Sequence, residues 1–445
     1  MQNYISDDVQ KQAIQALSRL VAKPSYNTEA APNAPFGEGI RAALDEVLKI
    51  ADELGYQTYV DPEGYYGYAE IGEGAEIFGL ICHVDVVPAG DIDAWKTNPF
   101  ELTQKDGSLY GRGSQDDKGP TIATLFTIKA LLDQGMHFNK RVRFIFGTDE
   151  EILWRGMAKY NEKEAGITMG IAPDAEFPLV YAEKGLQQSY LVGPGSDEIE
   201  LDLVNAFNAV PGLANYGGPK QAEVEAALKQ HGFAYEKQDG QLVVQGNSVH
   251  AMHAPEGTNA VLRLAIALAD VFSGVPALEF IKQFGEDATG ENILGVIKDD
   301  VSGQLTFNIS SLQINAKESR MQIDLRIPVQ VDHDDLIQTI VDKVAPFDMK
   351  YENFDYLEPL YVPKEGELVT TLMQAYAEVT GDTTSQPGIS GGATFARTMK
   401  NSVAFGAMLT TTPDFMHQAN ENWPIKDMRV AMEIYAQALK NLLVD

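Results

Sequence analysis

The sequence has a single cysteine, Cys82, among its 445 residues. One cysteine cannot form a disulfide within the chain, so a disulfide-built secreted scaffold is excluded and a reducing cytoplasm is the expected compartment. Basic residues are also scarce: 34 Lys and Arg stand against 64 Asp and Glu, a formal net charge of -30 at pH 7. Such a charge repels phosphate groups, so neither nucleic acid nor an anionic membrane surface is an expected partner.

Long apolar runs are missing as well. No uninterrupted apolar stretch approaches the roughly 18 residues of a membrane-spanning helix, so no such helix is expected. The first residues, MQNYISDDVQ, lack the basic and apolar regions of a signal peptide. With 44% hydrophobic and 22% charged residues, the composition is that of a globular protein with enough chain for two or three domains.

The order of predicted elements indicates the fold class. Apolar strands alternate with amphipathic helices over the first part of the chain, which predicts a doubly wound, mainly parallel α/β sheet. Strands dominate residues 185–361, and the α/β pattern then returns. We therefore predict one α/β domain formed by residues 1–184 and 362–445, interrupted by a long α+β insert at 185–361.

One predicted strand, residues 76–86, carries the first candidate site. Its sequence ends in LICHVDVVPAG, with His83 and Asp85 two positions apart. Side chains two apart on a strand share a face, and open α/β sheets place their sites at the carboxyl ends of strands. A carboxylate beside a histidine can fix the ring for metal binding. A core histidine with a satisfied hydrogen bond is the alternative.

Further acids and a histidine follow other predicted strands and turns, namely Asp116, Glu150, Glu151, Asp174 and His417. Each alone has a structural interpretation, such as a helix cap, a solvated loop or an Asx turn. Together, three carboxylates and two imidazoles could bind two divalent cations, and this donor set suits zinc, manganese or cobalt. Adjacent Glu150 and Glu151 should point apart, so that one can bind metal while the other acts as a general base.

These motifs carry a family resemblance across nearly the whole chain. The sequence resembles the M20 metallopeptidase family, in particular its PepV-like dipeptidases, through the segments HVDVVPAGD, YGRGSQDDKGP, GTDEE, PDAEFP, GNSVHAMHAPEGTNA, DLRIPV, GISGGATFAR and MHQANE. The resemblance implies that His83 and Asp174 bind one metal ion and that Glu151 and His417 bind another. It implies that Asp116 bridges the two.

The resemblance also assigns catalytic roles. Glu150 would be the general base that takes a proton from a metal-bridged water, and Asp85 would orient His83. His250 in the insert would stabilise the oxyanion. The family further shows a cis peptide bond after the bridging aspartate, here between Asp116 and Asp117.

The remaining residues that the resemblance implicates would bind substrate. Arg326 would hold the substrate carboxylate through paired hydrogen bonds. Asn208 would lie near the oxyanion, and the turn with Gly391, Gly392 and Thr394 would approach the substrate's carboxyl end. The alternatives are structural, namely turn glycines and a surface arginine.

The function that the resemblance implies is metal-dependent hydrolysis of short peptides, above all unblocked dipeptides, with two divalent ions, zinc first and manganese or cobalt as substitutes. The resemblance makes residues 1–184 and 362–445 a catalytic domain and 185–361 an enlarged α+β lid domain. The long insert resembles that of relatives which supply the oxyanion histidine from the same chain, so a monomer is expected. Two alternatives stay open: an N-acyl amino acid deacylase or desuccinylase of the same architecture, and a non-catalytic binding protein, which would have no need of a base.

Overall fold

The computed structural model describes residues 3–444, which form two compact units. The first unit runs to Tyr181 and continues over Val362–Gly388 and from Thr394 onward. The second unit comprises Ala182–Tyr361 and Ile389–Ala393. Among the helices of the described residues, none has the length and apolar character needed to cross a membrane.

As far as residue 183, the chain contains both helices and strands. They are α1 (Asp7–Val21), α2 (Glu38–Glu53), β1 (Gln57–Val60), β2 (Gly67–Ile71), β3 (Ile77–His83), β4 (Thr103–Lys105), β5 (Ser108–Tyr110), α3 (Lys118–Asp133), β6 (Arg141–Gly147), α4 (Arg155–Lys163), β7 (Met169–Ala172), β8 (Ala175–Glu176) and β9 (Val180–Glu183).

The segment from 185 to 361 is richer in strands. Its elements are β10 (Gly185–Pro194), β11 (Leu201–Leu203), β12 (Leu213–Tyr216), α5 (Gln221–His231), β13 (Tyr235–Gln238), β14 (Gln241–Gln245), α6 (Ala260–Val271), α7 (Pro276–Phe284), α8 (Glu291–Leu294), β15 (Lys298–Asp299), β16 (Gly303–Gln304), β17 (Thr306–Ile314), β18 (Glu318–Ile327), α9 (His333–Val344), β19 (Lys350–Leu357) and β20 (Leu360–Tyr361).

The last part of the chain contains two long helices and four short strands. They are α10 (Glu367–Thr380), β21 (Gly388–Ser390), β22 (Ser402–Ala404), β23 (Ala407–Met408), β24 (Asn422–Pro424) and α11 (Ile425–Leu443).

The first unit is built on a mixed sheet in which seven strands run in the order β1-β2-β6-β3-β7-β22-β9. The central strands β6, β3, β7 and β22 are parallel, while the pairs at both ends are antiparallel. Every residue of β3 is buried, as expected for a strand covered on both faces. The predicted α/β class is confirmed, with antiparallel strands added at the edges.

The second unit is built on an antiparallel sheet with strand order β11-β17-β18-β10-β19. Alternate residues of these strands, among them Leu191 and Ile323, join residues of α6, α7 and α9 in one apolar core. A smaller sheet, β12-β14-β13, is also antiparallel. The predicted α+β character is confirmed.

Local signals in the sequence account for several boundaries. The Ser6 hydroxyl accepts the N–H of Val9 at 3.2 Å and begins α1. The strand expected at 76–86 ends at His83 instead, and Asp85 lies in the following loop. Helix α7 was not predicted, although Pro276 stands in its first turn, where a missing N–H leaves no helical hydrogen bond unmade.

Candidate metal centre

Three parallel strands bring candidate ligand side chains to one edge of the sheet. In the order β6-β3-β7, His83 is the last residue of β3, Glu151 follows β6, and Asp174 follows β7. Carboxyl ends of parallel strands meet at a common edge, so residues far apart in sequence become neighbours there. The structure brings these three residues together with Asp116 and His417.

The five residues form two ligand clusters. We call His83, Asp116 and Asp174 the His83 cluster, and Asp116, Glu151 and His417 the His417 cluster. Within each cluster the potential ligand atoms lie within 4.8 Å of one another. Asp116 serves both with different oxygens: Oδ1 lies 2.9 Å from His83 Nε2, and Oδ2 lies 2.9 Å from His417 Nε2. One carboxylate thus links both clusters.

The His83 ring is held in one tautomer. Its Nδ1–H donates to the main-chain carbonyl of Asp85 at 3.0 Å, so in the neutral ring Nε2 carries a lone pair toward Asp116. The Asp85 carboxylate lies farther from Nδ1, at 3.5 Å, and accepts the N–H of Glu151 at 3.1 Å. Asp85 therefore contacts His83 and the main chain of Glu151, which belong to different clusters.

The residue that precedes helix α3 holds the main chain of His83. Asp117, the residue before α3, accepts the main-chain N–H of His83 at 3.1 Å and the hydroxyl of Thr121 at 3.0 Å. The peptide bond between Asp116 and Asp117 is cis, as the family resemblance predicted. Asp116 thus contacts the ring of His83, and Asp117 contacts its main chain.

A tight turn after β6 carries two neighbouring glutamates whose surroundings differ. Asp149 is fully buried and accepts the N–H groups of Arg155 and Gly156, each at 2.9 Å, which fixes the turn that carries Glu150 and Glu151. Glu151 Oε2 lies 3.0 Å from His417 Nε2. Glu150 belongs to neither cluster, so the two glutamates have different surroundings despite their adjacency.

The electrostatics of the clusters favour positive charge. Burial, together with the charge of Asp116, raises the pKa of Glu151 to about 7 and that of Asp174 to about 6. Hydrogen bonds to Asp116 and Glu151 raise the pKa of His417 to about 11. Burial alone would lower the pKa of His83, but the nearby carboxylates outweigh it and raise that pKa.

The residues present fit a pair of divalent cations. With Nδ1–H of His83 committed to a carbonyl, its Nε2 lone pair faces a carboxylate oxygen at 2.9 Å, and two acceptors this close need a proton or a cation between them. Imidazole nitrogen combined with carboxylate oxygen is a donor set typical of zinc, cobalt and manganese sites. The shared Asp116 suits a dinuclear centre.

The second unit brings together other predicted residues. The main-chain N–H of Ala251, next to His250, donates to the carbonyl of Asn208 at 2.8 Å. A side chain at position 391 would place its Cβ 2.7 Å from Cβ of Met252, so glycine is required beside the His250 segment. Asn208, His250 and Gly391 therefore belong to one neighbourhood within this unit.

Arg326 lies in the same neighbourhood but is 3% exposed and already paired. Its Nε and Nη2 contact the two carboxylate oxygens of Asp324 at 2.7 and 3.1 Å, and its Nη1 donates to the carbonyl of Gly391 at 2.8 Å. Asp324 was not among the predicted site residues, although it stands two residues before Arg326 on the same strand and therefore on the same face.

The rest of the predicted glycine-rich turn has local roles. The Gly392 N–H donates to the Ser390 hydroxyl at 2.9 Å. The Thr394 hydroxyl accepts the N–H of Ala396 at 3.3 Å and begins a short 3-10 helix, Phe395–Thr398. The structure assigns Thr394 to the first unit and the two glycines to the second.

Glu421 is the last residue of the family motif MHQANE, but no role was predicted for it. It is fully buried and accepts hydrogen bonds from the Arg112 guanidinium at 2.8 Å and from the main-chain N–H groups of Gly113 and Gln115 at 3.0 and 2.8 Å. The Asp116 N–H lies 3.3 Å from the same carboxylate. Glu421 thus shapes the loop that presents Asp116.

Comparison with known proteins agrees with this geometry. The chain is 35% identical over 439 residues to the "Putative dipeptidase YtjP" of Bacillus subtilis (strain 168), covering 93% of each protein. It is 34% identical over 444 residues to the "Putative dipeptidase SH1171" of Staphylococcus haemolyticus (strain JCSC1435), covering 94% of each.

Solved structures share the fold at low sequence identity. The di-peptidase Dug1p from Saccharomyces cerevisiae superposes with a TM-score of 0.61 at 15% identity, over 98% of this chain and 96% of that one. Human carnosine dipeptidase 1 gives a TM-score of 0.59 at 16% identity, over 98% and 97%. Residues 79–441 match the family model for Peptidase family M20/M25/M40. The chain therefore belongs to the M20 family of metallopeptidases.

Proposed function

We propose that this protein hydrolyses short peptides, with unblocked dipeptides as its substrates. The observation that carries the proposal is the pair of ligand clusters joined by Asp116, with Glu150 beside them in neither cluster. The relatives named as dipeptidases over the full chain length support the substrate class. The proposed cations are zinc, with manganese or cobalt as substitutes.

The proposed chemistry needs a Lewis acid and a base. Two bound cations would polarise the scissile carbonyl and lower the pKa of a water toward neutrality. Glu150 is the proposed base because it is a carboxylate that does not take part in either cluster. It takes a proton from the attacking water and later passes that proton to the leaving amine.

His250 is the proposed oxyanion donor, and its tautomer suits that role. Its Nδ1 accepts the main-chain N–H of Met252 at 3.2 Å, so in the neutral ring the proton lies on Nε2. Burial and the nearby Arg326 charge lower the pKa of His250, which favours the neutral ring. An Nε2–H donor can stabilise charge that develops in the transition state.

Replacing His250 with alanine is expected to lower kcat by about 10²–10³-fold, the usual cost of losing one oxyanion donor, with a much smaller change in KM. His253→Ala is the matched control, since His253 lies three residues away in the same segment with its side chain 51% exposed. Steady-state kinetics on a free dipeptide would measure both variants. A His250→Ala kcat equal to that of His253→Ala would exclude the assigned role.

We propose the cytoplasm as the compartment, because the single cysteine, Cys82, is a buried free thiol.

We also propose a monomer in which one chain supplies every catalytic group. Mixing His250→Ala with Glu150→Gln should then restore no activity. Rescue on mixing would show that subunits share sites, and it would contradict the monomer proposal.

Arg326, with the Gly391–Gly392 turn, is the proposed holder of the substrate carboxylate, and Asn208 and Thr394 are the proposed supporting contacts. The Asp324 carboxylate orients the guanidinium from one side. A guanidinium fixed by one carboxylate can still offer Nη groups to another, which suits recognition of a free carboxyl end.

A substrate panel tests the proposed function. Free dipeptides should be cleaved with a far higher kcat/KM than the same dipeptides N-acetylated, and tripeptides should be poorer than dipeptides. Amino acid release, followed by chromatography, would measure each rate. Preference for N-acyl or N-succinyl amino acids would replace the proposal with the deacylase alternative, and inactivity on every amide would favour a binding protein.

A further inference from the structure

A buried glutamine joins the two chain segments that present Asp116 and His417. Gln115 is fully buried, and its side-chain amide makes three hydrogen bonds to the main chain of residues 413–422. Its Nε2 donates to the carbonyls of Pro413 and Asn422 at 2.9 and 2.8 Å, and its Oε1 accepts the N–H of Phe415 at 2.9 Å. Both N–H groups and the carbonyl of this amide are therefore used.

The glutamine is itself fixed in place. Its main-chain N–H donates to the buried Glu421 carboxylate at 2.8 Å, and Glu421 belongs to the segment that the Gln115 side chain contacts. Arg112 neutralises that carboxylate at 2.8 Å. The two segments are thus joined by hydrogen bonds of side chains from both of them, Gln115 in one and Glu421 in the other.

The two imidazoles of the centre depend on this connection to different degrees. His83 ends a fully buried strand, and its main chain and ring have separate hydrogen bonds to Asp117 and Asp85. His417 lies in a loop with φ of 61°, and its side chain is 55% exposed. Two of the Gln115 hydrogen bonds reach Pro413 and Phe415, just before His417.

We infer that Gln115 is a positioning residue that sets the cation affinity of the His417 cluster and leaves that of the His83 cluster largely unchanged. It acts by holding the loop of His417 at the distance that Asp116 and Glu151 require. Residues that support a metal ligand commonly contribute about 10–100-fold to metal affinity. This inference rests on the proposed dinuclear centre.

The test is calorimetric titration of metal-stripped protein with Zn²⁺ alone, with bound zinc counted by mass spectrometry. Gln115→Met keeps the side-chain length while removing the three hydrogen bonds and adding no charge. The matched control is Gln187→Met, because Gln187 in the second unit is also fully buried and its amide also donates to main-chain carbonyls. His417→Ala marks the behaviour of a protein that lacks the second site.

The parent and Gln187→Met should each bind two Zn²⁺. Gln115→Met should bind the first ion as the parent does and the second about 10–100-fold more weakly, approaching His417→Ala. Two sites of parent affinity in Gln115→Met, or equal weakening of both, would overturn the inference. If the parent protein did not bind two Zn²⁺, the proposed dinuclear centre would be wrong. That result differs from parent-like binding by Gln115→Met, so failure of the centre and failure of the Gln115 inference are distinguishable.

A second variant keeps the inference testable if Gln115→Met does not fold. Gln115→Asn keeps a neutral amide but shortens the side chain by one methylene, so it cannot make the hydrogen bonds to Pro413, Phe415 and Asn422 together. It should weaken the second Zn²⁺ site relative to Gln187→Asn. A second site of parent affinity in this variant would overturn the inference.

Discussion

Replacing Glu150 with glutamine is expected to lower kcat for a free dipeptide by about 10²–10⁴-fold, the range that general base catalysis contributes. The substitution preserves size and hydrogen-bonding capacity but removes the group that accepts a proton. Because Glu150 belongs to neither ligand cluster, both cations should remain bound. Steady-state kinetics and metal counting on the same preparation would measure the two effects separately.

The matched control is Glu162→Gln, the same change at a glutamate whose side chain is 61% exposed and paired with Lys159 on the surface. It should keep the kcat of the parent. Loss of metal from Glu150→Gln would make Glu150 a ligand instead of a base, and near-parent turnover would remove it from the mechanism.

Asp116→Ala is expected to abolish binding of both cations and, with it, peptide hydrolysis. Its two oxygens each lie 2.9 Å from a different imidazole, so one substitution removes a ligand from both clusters. The loss of affinity at each site should exceed the about 10–100-fold effect of changing a residue that only supports a ligand. Zinc titration of the metal-stripped variant would measure it.

Asp174→Ala provides the comparison, because Asp174 belongs to the His83 cluster alone. That variant should lose affinity at one site and keep the other. If Asp116→Ala bound one cation with the affinity of the parent, Asp116 would not be shared, and the dinuclear interpretation would be wrong.

Much of the fold follows from local sequence signals. The apolar strand Arg141–Gly147 and the first helix, which begins at its Ser6 cap, each carry such signals in consecutive residues. The hairpin around Asp106 and Gly107 is formed by β4 and β5. These features depend on hydrophobic periodicity and turn residues, both of which are written in short stretches of sequence.

That His83, Glu151 and Asp174 lie near one another was also predictable, because strand ends converge on one edge of an α/β sheet. The contacts among the residues that support this edge were not predictable. Gln115 and Phe415 are 300 positions apart, and Arg112 and Glu421 are 309 apart. No periodicity or spacing reports such pairs, since they form only when the chain is folded.

Two further details required the structure. The strand of His83 stops at that residue, so the main-chain carbonyl of Asp85 becomes the hydrogen-bond acceptor for the ring. Arg326 is paired with Asp324, which the sequence shows only as an alternating strand residue. Packing decides where a strand ends and which carboxylate pairs with a given arginine. Local propensity does not determine either feature.

The most direct test of the account is hydrolysis of a free dipeptide by metal-stripped protein to which Zn²⁺, Mn²⁺ or Co²⁺ is restored in measured equivalents. We expect no activity without metal, activity that rises until two equivalents are bound, and about 10²–10⁴-fold lower activity with Glu150→Gln under the same conditions. Full activity in the stripped protein would contradict a dinuclear centre built on Asp116. Maximal activity at one metal equivalent, together with unchanged activity of Asp116→Ala, would contradict it as well.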